Sequence, residues 1–269
     1  MNASPQPLDR MPAHRRRSIR IVLTDIDDTL TTDGKLTSEA FVALERLHNA
    51  GRIVVPVTGR PAGWCDHIAR MWPVDGVVGE NGAFYMRYDT PQRKLVRRFV
   101  ADEAEREHMH ARIAAIGARI LAGVPGSALA SDQRYRETDL AIDYCEDVPP
   151  LPRKDVDRIV ALMQAEGMTA KISSIHVNGW FGRYDKLATT RLLLREAFAT
   201  DIDEQRDACV FIGDSPNDAP MFAFFPNAIG VANVRRFLDR IATPPAWITR
   251  SEAGAGFAEI ADALLLEAT

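Results

Sequence analysis

Short apolar runs alternate with segments of helical spacing along most of the chain. Ile21-Val22-Leu23 is too short for a helix and too apolar for a surface loop, so it reads as a buried strand. Leu36 to Ala50 then places Leu36, Ala40, Phe41, Leu44 and Leu47 on one helical face, with Thr37 or Ser38 as the N-cap and Gly51 as the stop. Arg52 to Val57 predicts a second strand, Pro61 suits the first turn of a helix running to about Met71, and Val74 to Val78 predicts a third strand. This βαβαβ order implies parallel strands with right-handed crossovers, hence a doubly wound sheet.

The rhythm changes at Glu80-Asn81-Gly82-Ala83. Strands are predicted at Phe84 to Tyr88 and Leu95 to Val100, a helix at Ala101 to Ala118, and a strand at Asp139 to Cys145. A helix at Arg153 to Glu166 follows, then strands at Thr169 to Ser173 and Ile175 to Phe181. Strands joined by short turns predict an antiparallel sheet with two helices on one face. The alternating rhythm resumes with helix Lys186 to Ala199 and strand Ala208 to Ile212. It continues through helix Ala219 to Phe225, strand Ala228 to Val231, helix Val234 to Ile241, strand Ala246 to Thr249 and helix Phe257 to Glu267. The expected architecture is an α/β, Rossmann-like parallel core of residues 19–83 and 182–269, with an α+β module of residues 84–181 inserted into it. Residues 1–18, Pro-rich and basic, read as a disordered leader, with Met11 as an alternative start.

Composition narrows the field. Of the 269 residues 46% are apolar, enough for a sizeable core, and 33 basic against 37 acidic side chains leave a net charge of −4. That balance argues against nucleic-acid binding through a generally basic surface. Cys65, Cys145 and Cys209 lie far apart without a CxxC pair, so they read as reduced thiols of a cytoplasmic protein. The leader lacks the apolar segment of a secretory signal, and no apolar run reaches the roughly 18 residues of a membrane span. A monomer or homodimer is expected.

The chemistry is carried by acids at strand ends. The first strand runs into Asp25, Asp27 and Asp28. Two unit charges about 4 Å apart repel by roughly 4 kcal/mol at an effective dielectric of about 20, so a cation or a proton must relieve them. Further polar groups stand at other predicted strand ends or helix starts: Thr58, Lys186, and Asp214 with Asp218. In open α/β sheets this edge is where ligands bind. A hard cation such as Mg2+ takes carboxylate oxygens, and Asp25 and Asp214 supply a pair. A carboxylate attacking an anionic phosphate needs positive charge from the metal and from Lys186; Thr58 adds a hydroxyl donor, and Asp27 suits a proton carrier. An EF-hand loop from Asp25 would need Gly and Glu where Leu30 and Leu36 stand, and no GxxxxGK(S/T) is present.

In these motifs the chain resembles the haloacid dehalogenase-like hydrolase superfamily. Asp25-Ile26-Asp27-Asp28-Thr29 matches DxDx(T/V), Thr58 the second motif, Lys186 the third, and Gly213-Asp214-Ser215-Pro216-Asn217-Asp218 matches GDxxxD. The resemblance implies that Asp25 forms an aspartyl-phosphate and Asp27 is the general acid and base. It implies Mg2+ held by Asp25, the Asp27 carbonyl and Asp214, with Asp218 supporting or joining the set. Thr58, Gly59, Lys186 and Asn217 are the expected phosphate contacts. Asp28 departs from the family, where many relatives carry Gly. True dehalogenases of the superfamily need neither Mg2+ nor the second Asp, so Asp27 and Asp214 favour phosphate chemistry.

The insertion between Thr58 and Lys186 resembles the α/β cap of the Cof-type, sucrose-phosphate phosphatase and mannosyl-3-phosphoglycerate phosphatase subgroup, which also includes phosphomannomutase. Asn81 and Gly82 fit the turn that borders the active site there. The function expected is a Mg2+-dependent phosphatase of small phosphorylated metabolites, sugar phosphates or phosphorylated organic acids; the alternatives are a phosphomutase and a non-catalytic phospho-ligand binder. Specificity is expected from the insertion: Ser173, His176 and Asn178 toward sugar hydroxyls, Arg134 or Lys171 toward a carboxylate or second phosphate. His176 is favoured because Ile175 and Val177 should face the opposite side of its strand.

Overall fold

The computed structural model describes residues 4–266. The chain opens with β1 (Gln6–Pro7) and α1 (Ala13–Ser18), then enters β2 (Ile21–Thr24), all four of whose residues are buried. A hairpin of β3 (Thr31–Thr32) and β4 (Lys35–Leu36) leads to α2 (Ser38–Asn49), capped by Thr37, whose hydroxyl accepts the Ala40 N–H. β5 (Ile53–Pro56), α3 (Ala62–Met71) behind Pro61, and β6 (Val77–Gly79) complete the first βαβαβ unit. The hairpin β7 (Phe84–Asp89) and β8 (Lys94–Phe99) precedes the insertion. The insertion holds α4 (Glu103–Gly123), β9 (Ala128–Leu129), β10 (Asp139–Asp143), α5 (Arg153–Ala165), β11 (Thr169–Ile172) and β12 (His176–Trp180). The core resumes with α6 (Lys186–Phe198), β13 (Cys209–Gly213), α7 (Ala219–Phe224), β14 (Ile229–Gly230), β15 (Trp247–Ile248) and α8 (Ala253–Leu265).

The main sheet has the order β1-β15-β14-β13-β2-β5, and every pair in it is parallel. Successive residues of β2 serve opposite faces. Val22 joins Val54, Val210, Leu44 and Phe257 on one side, while Leu23 joins Val55, Phe211 and Phe222 on the other. From β2 the chain moves outward to β5, and it returns later to β13 on β2's other flank. The C-terminal ends of β2 and β13 therefore flank the topological switch point, where open α/β sheets form their ligand crevice.

Two boundaries differ from expectation. The basic leader is folded from residue 4, residues 1–3 lying outside the described chain. β1 pairs with β15 at the sheet edge, and Leu8 and Met11 are buried in the core. Two apolar side chains three apart supply the anchor, and Pro7 is tolerated because its strand is an edge. The hairpin β7–β8 belongs to the core rather than to the insertion. β7 pairs with β6, and β6 joins β5 through a parallel bridge from Val57 to Val78. Phe84 and Met86 pack on one core face and Tyr85 on the other. Its antiparallel pattern marked it as foreign to a parallel sheet, but alternation does not reveal what an edge pairs with. Residues 232–240 form a 3-10 helix rather than an α-helix, and Glu267 at the predicted end of the last helix lies outside the described residues.

The inserted module is a four-stranded antiparallel sheet, β11-β12-β10-β9, with α4 and α5 on one face. Leu140, Ile142 and Val177 point to that face and form a separate apolar core with Ile116, Ile159 and Met163. By register Asp139, Asp143, His176, Asn178 and Lys171 occupy the opposite, polar face, which looks onto the C-terminal edge of the main sheet.

Candidate active site

Asp25 follows directly on β2 and is 4% exposed; its N–H donates to the Ile212 carbonyl of β13. The Lys186 ammonium, at the start of α6 and 2% exposed, donates to Asp25 Oδ1 at 2.8 Å and to Asp218 Oδ1 at 2.7 Å. Asp218 Oδ2 accepts the Asp214 and Ser215 N–H groups, so both of its oxygens already hold the lysine and the loop. Asp214 sits at the end of β13, with Thr29 Oγ1 3.4 Å from Oδ1 and Asn233 Nδ2 3.1 Å from Oδ2. One oxygen each of Asp25, Asp214 and Asp218 lies within 4.8 Å of the others. One lysine does not neutralise three buried carboxylates. Burial pushes the Asp25 carboxyl up to about 7, with Lys186 pulling it down, and burial together with Asp218 and Asp25 lifts Asp214 well above the carboxylate range. An uncompensated cluster of hard oxygen donors at a switch point fits a divalent cation such as Mg2+.

Thr58 is fully buried after β5, its N–H bound to the Val78 carbonyl and its hydroxyl accepting the Arg60 N–H at 3.0 Å. Asn81 stands beside this turn in a left-handed conformation (φ 54°), as does Glu80 (φ 43°). The Asn81 Oδ1 accepts from Asn217 Nδ2 at 3.2 Å, while its own buried Nδ2 has no acceptor and lies 3.1 Å from the point a Cβ on Gly59 would occupy. The structure thus gathers Thr58, Gly59, Asn81, Asn217 and Lys186 beside Asp25, with an unpaired donor directed at the Gly59 turn. Asp28 adopts φ 53°, the region that favours Gly, and its carbonyl accepts from Asn233.

Asp27 is partly exposed and lies on Arg60, whose Nε is 2.8 Å from Oδ1 and 3.0 Å from Oδ2. The same guanidinium meets two acids of the inserted module, Asp132 at 3.2 Å and Glu146 at 2.5 Å. Glu146 is 2.9 Å from His176 Nε2. Partial burial favours its protonation, but hydrogen bonds with His176 and Arg60 outweigh that and hold it at about 2. Arg136 completes the join: its Nη1 donates to the Gly59 carbonyl at 2.8 Å and to Asp139 at 3.0 Å. Glu80, raised to about 7 by burial and by Asp139, accepts Ala62 N–H from the core and Glu137 and Thr138 N–H from the module.

The residues anticipated on the module divide. Asn178 donates to Asp139 at 3.0 Å and stands over Gly59; His176 is buried against Glu146, within the ionic chain that reaches Asp27. Lys171 lines a cleft that also includes Asn81, Lys186 and Asn217. Ser173 instead bonds within its own turn, to the His176 N–H and carbonyl. Arg134 is exposed, stacks on Tyr135 and lines a separate groove beside α3, away from Asp25. Ser173 lies just past β11 and Arg134 in a short 3-10 helix (Gln133–Tyr135), where strand alternation gives no direction. Arg60, Glu80, Asp132, Arg136, Asp139, Glu146 and Asn233 escaped the sequence reading. Arg60 stood in view in Thr-Gly-Arg, but its partners come from 72 and 86 residues away.

Solved structures share this fold. The C-terminal domain of Candida albicans trehalose-6-phosphate phosphatase shares the fold with a TM-score of 0.71 at 14% identity, over 98% of each chain. A Thermoplasma acidophilum protein matches with a TM-score of 0.65 at 18% identity, over 91% of this chain and 98% of its own. The Synechocystis sucrose-phosphatase, solved with sucrose and phosphate, gives 0.59 at 14% identity, over 92% and 98%. No curated protein shows significant sequence similarity to the chain. Residues 22–121 match the family model of the haloacid dehalogenase-like hydrolases, and the motif residues that resemble that family gather at the switch point of the sheet.

Proposed function

We propose that the protein is a Mg2+-dependent phosphatase of small phosphorylated metabolites that works through an aspartyl-phosphate on Asp25. The observation that carries the reading is the buried Asp25 carboxylate, held by Lys186 at 2.8 Å within 4.8 Å of Asp214 and Asp218. Two of the structural neighbours are a trehalose-phosphate and a sucrose-phosphate phosphatase, which supports a phosphorylated small molecule as substrate.

Asp25 attacks phosphorus in line with the leaving oxygen, and the bond to that oxygen breaks as Asp27 gives it a proton. Asp27 then takes a proton from water, whose oxygen attacks phosphorus and frees the carboxylate and inorganic phosphate. Lys186 turns Asp25 toward its target and balances the incoming negative charge; Thr58, Asn81 and the Gly59 turn offer donors to phosphoryl oxygens. Bound Mg2+, held by Asp25, the Asp27 carbonyl and Asp214, would supply further positive charge there, with Asp218 fixing the lysine. Arg60 orients Asp27 through its Nε–H, which reaches both carboxylate oxygens.

Asp25→Asn should abolish phosphate release from p-nitrophenyl phosphate in the presence of Mg2+; turnover within tenfold of wild type would remove Asp25 as the nucleophile. Phosphate appearing in solution distinguishes hydrolysis from a mutase, which would return it to sugar, and from a binder without turnover.

A further inference from the structure

Two of the clefts at the join between core and module include residues of the candidate site, and their charges differ. The first, about 440 Å³, has Asn81, Lys186 and Asn217 on its wall, the groups already placed beside Asp25. Trp180 and Tyr184, stacked with centroids 5.9 Å apart, back it from the core, only their edges reaching the cleft. Lys171 and Arg183 also line it, and neither makes an ion pair or a side-chain hydrogen bond among the described residues. Lys171 stands opposite Asn178 in register, so it rises from the polar face of the module sheet; Arg183 lies on the strap that returns to α6. Asp185, the acid of this cleft, is committed to capping α6 through the Ala188 N–H. The second cleft, about 590 Å³, sets five acids, Asp27, Asp28, Asp33, Glu146 and Asp147, against three cations, Lys35, Arg60 and Arg236, of which Arg60 and Arg236 are already paired with acids.

We infer that the non-transferring part of the substrate occupies the Trp180–Tyr184 cleft and carries a second anionic group, a carboxylate or a second phosphate, bound by Lys171 and Arg183. The inference rests on the phosphatase reading and specifies its substrate class. An anion is repelled from the acid-rich cleft and drawn to the one where two cations lack partners and a third, Lys186, faces the phosphoryl site. Asn81, whose buried Nδ2 has no acceptor, lines the same cleft and marks a place prepared for a polar ligand. A concave cleft with a few directed polar groups is the usual make-up of a small-molecule site, and Arg183 can grip a carboxylate or phosphate with two N–H groups.

The test compares kcat/KM for phosphoglycerate, fructose bisphosphate and mannose phosphate in wild type, Lys171→Ala and Arg183→Ala, with Mg2+. Wild type should prefer phosphoglycerate or fructose bisphosphate over mannose phosphate at least tenfold, and which of the two leads identifies the anion. Each substitution should lower that preference about tenfold, equivalent to about 1.4 kcal/mol. A preference for mannose phosphate, or a preference that neither substitution changes, overturns the inference. Calorimetry with phosphoglycerate or fructose bisphosphate on the Asp25→Asn chain reads the subsite without turnover. Binding of the preferred anion should weaken about tenfold on adding Lys171→Ala, and equal or absent binding again overturns it. Failure of wild type to hydrolyse p-nitrophenyl phosphate would instead refute the phosphatase reading, leaving the calorimetric result to judge the subsite alone.

Discussion

Replacing Lys186 with Met keeps most of the side-chain volume and removes only the charge. The ammonium is 2.8 Å from Asp25 and 2.7 Å from Asp218, in a site where all three side chains are at most 5% exposed. At 2.8 Å and an effective dielectric of about 20, each contact is worth roughly 6 kcal/mol of Coulomb attraction, most of it offset by desolvation. Loss of one partner of such a buried pair costs about 3–5 kcal/mol, because acids are left without a counter-charge. For a chain of this size that corresponds to a fall in Tm of roughly 10 °C in EDTA at neutral pH. Mg2+ at a hundredfold excess over its Kd stabilises by about 2.7 kcal/mol, and its increment should be larger in Lys186→Met, which has one more uncompensated negative charge. The pH dependence has a definite sign. Burial already holds the Asp25 pKa near 7, above its ordinary 3.8, so its contribution to stability is full below about 4 and is lost as pH rises through 7. Without Lys186 the carboxyl rises further, so the deficit against wild type should be small at pH 5 and grow toward pH 8. Thermal unfolding by circular dichroism at both pH values, with EDTA and with Mg2+, measures all of this. An unchanged Tm in EDTA at pH 8 would refute the claim that Lys186 neutralises the acid cluster.

Two further substitutions probe other parts of the structure. Arg60→Ala removes the guanidinium that touches Asp27, Asp132 and Glu146; kcat on p-nitrophenyl phosphate should fall by about 10–100-fold through loss of Asp27 positioning, and limited proteolysis should cut more readily between core and module. Leu8→Ala should cost about 2–5 kcal/mol in urea unfolding, whereas a disordered amino terminus would give no change.

What the sequence made legible was local. Asp25, Thr58, Lys186 and Asp214 each sit at a strand end or helix start, and such positions follow from apolar runs and punctuating residues without knowledge of distant contacts. His176 and Asn178 were placed on the polar face of their strand because alternation with Val177 determines the side. Contacts across long separations were not legible. Nothing near Arg60 in the chain announces Asp132 or Glu146, and nothing near Leu8 announces the core that covers it. The β7–β8 hairpin shows the same limit at the level of elements: its pattern was correct, and only its neighbour, β6, was hidden.

The turn at Ala83 and Gly82 has a wider consequence. The Val100 N–H bonds to the Ala83 carbonyl as the chain leaves for the module, and Thr189 bonds to the Gly82 carbonyl after it returns. A Cβ on Gly82 (φ 109°) would stand 2.1 Å from the Asp185 carbonyl oxygen, so the returning chain passes directly against the turn to which the outgoing chain is bonded. The insertion is in effect a closed loop with coincident ends, hung from a single neck. Closure cost grows only logarithmically with loop length, so a longer or shorter graft at this neck changes the entropy of the chain little and leaves Lys186 where it is. The phosphoryl machinery and the recognition surface can therefore diverge at different rates, with Gly82 as the position that neither can release.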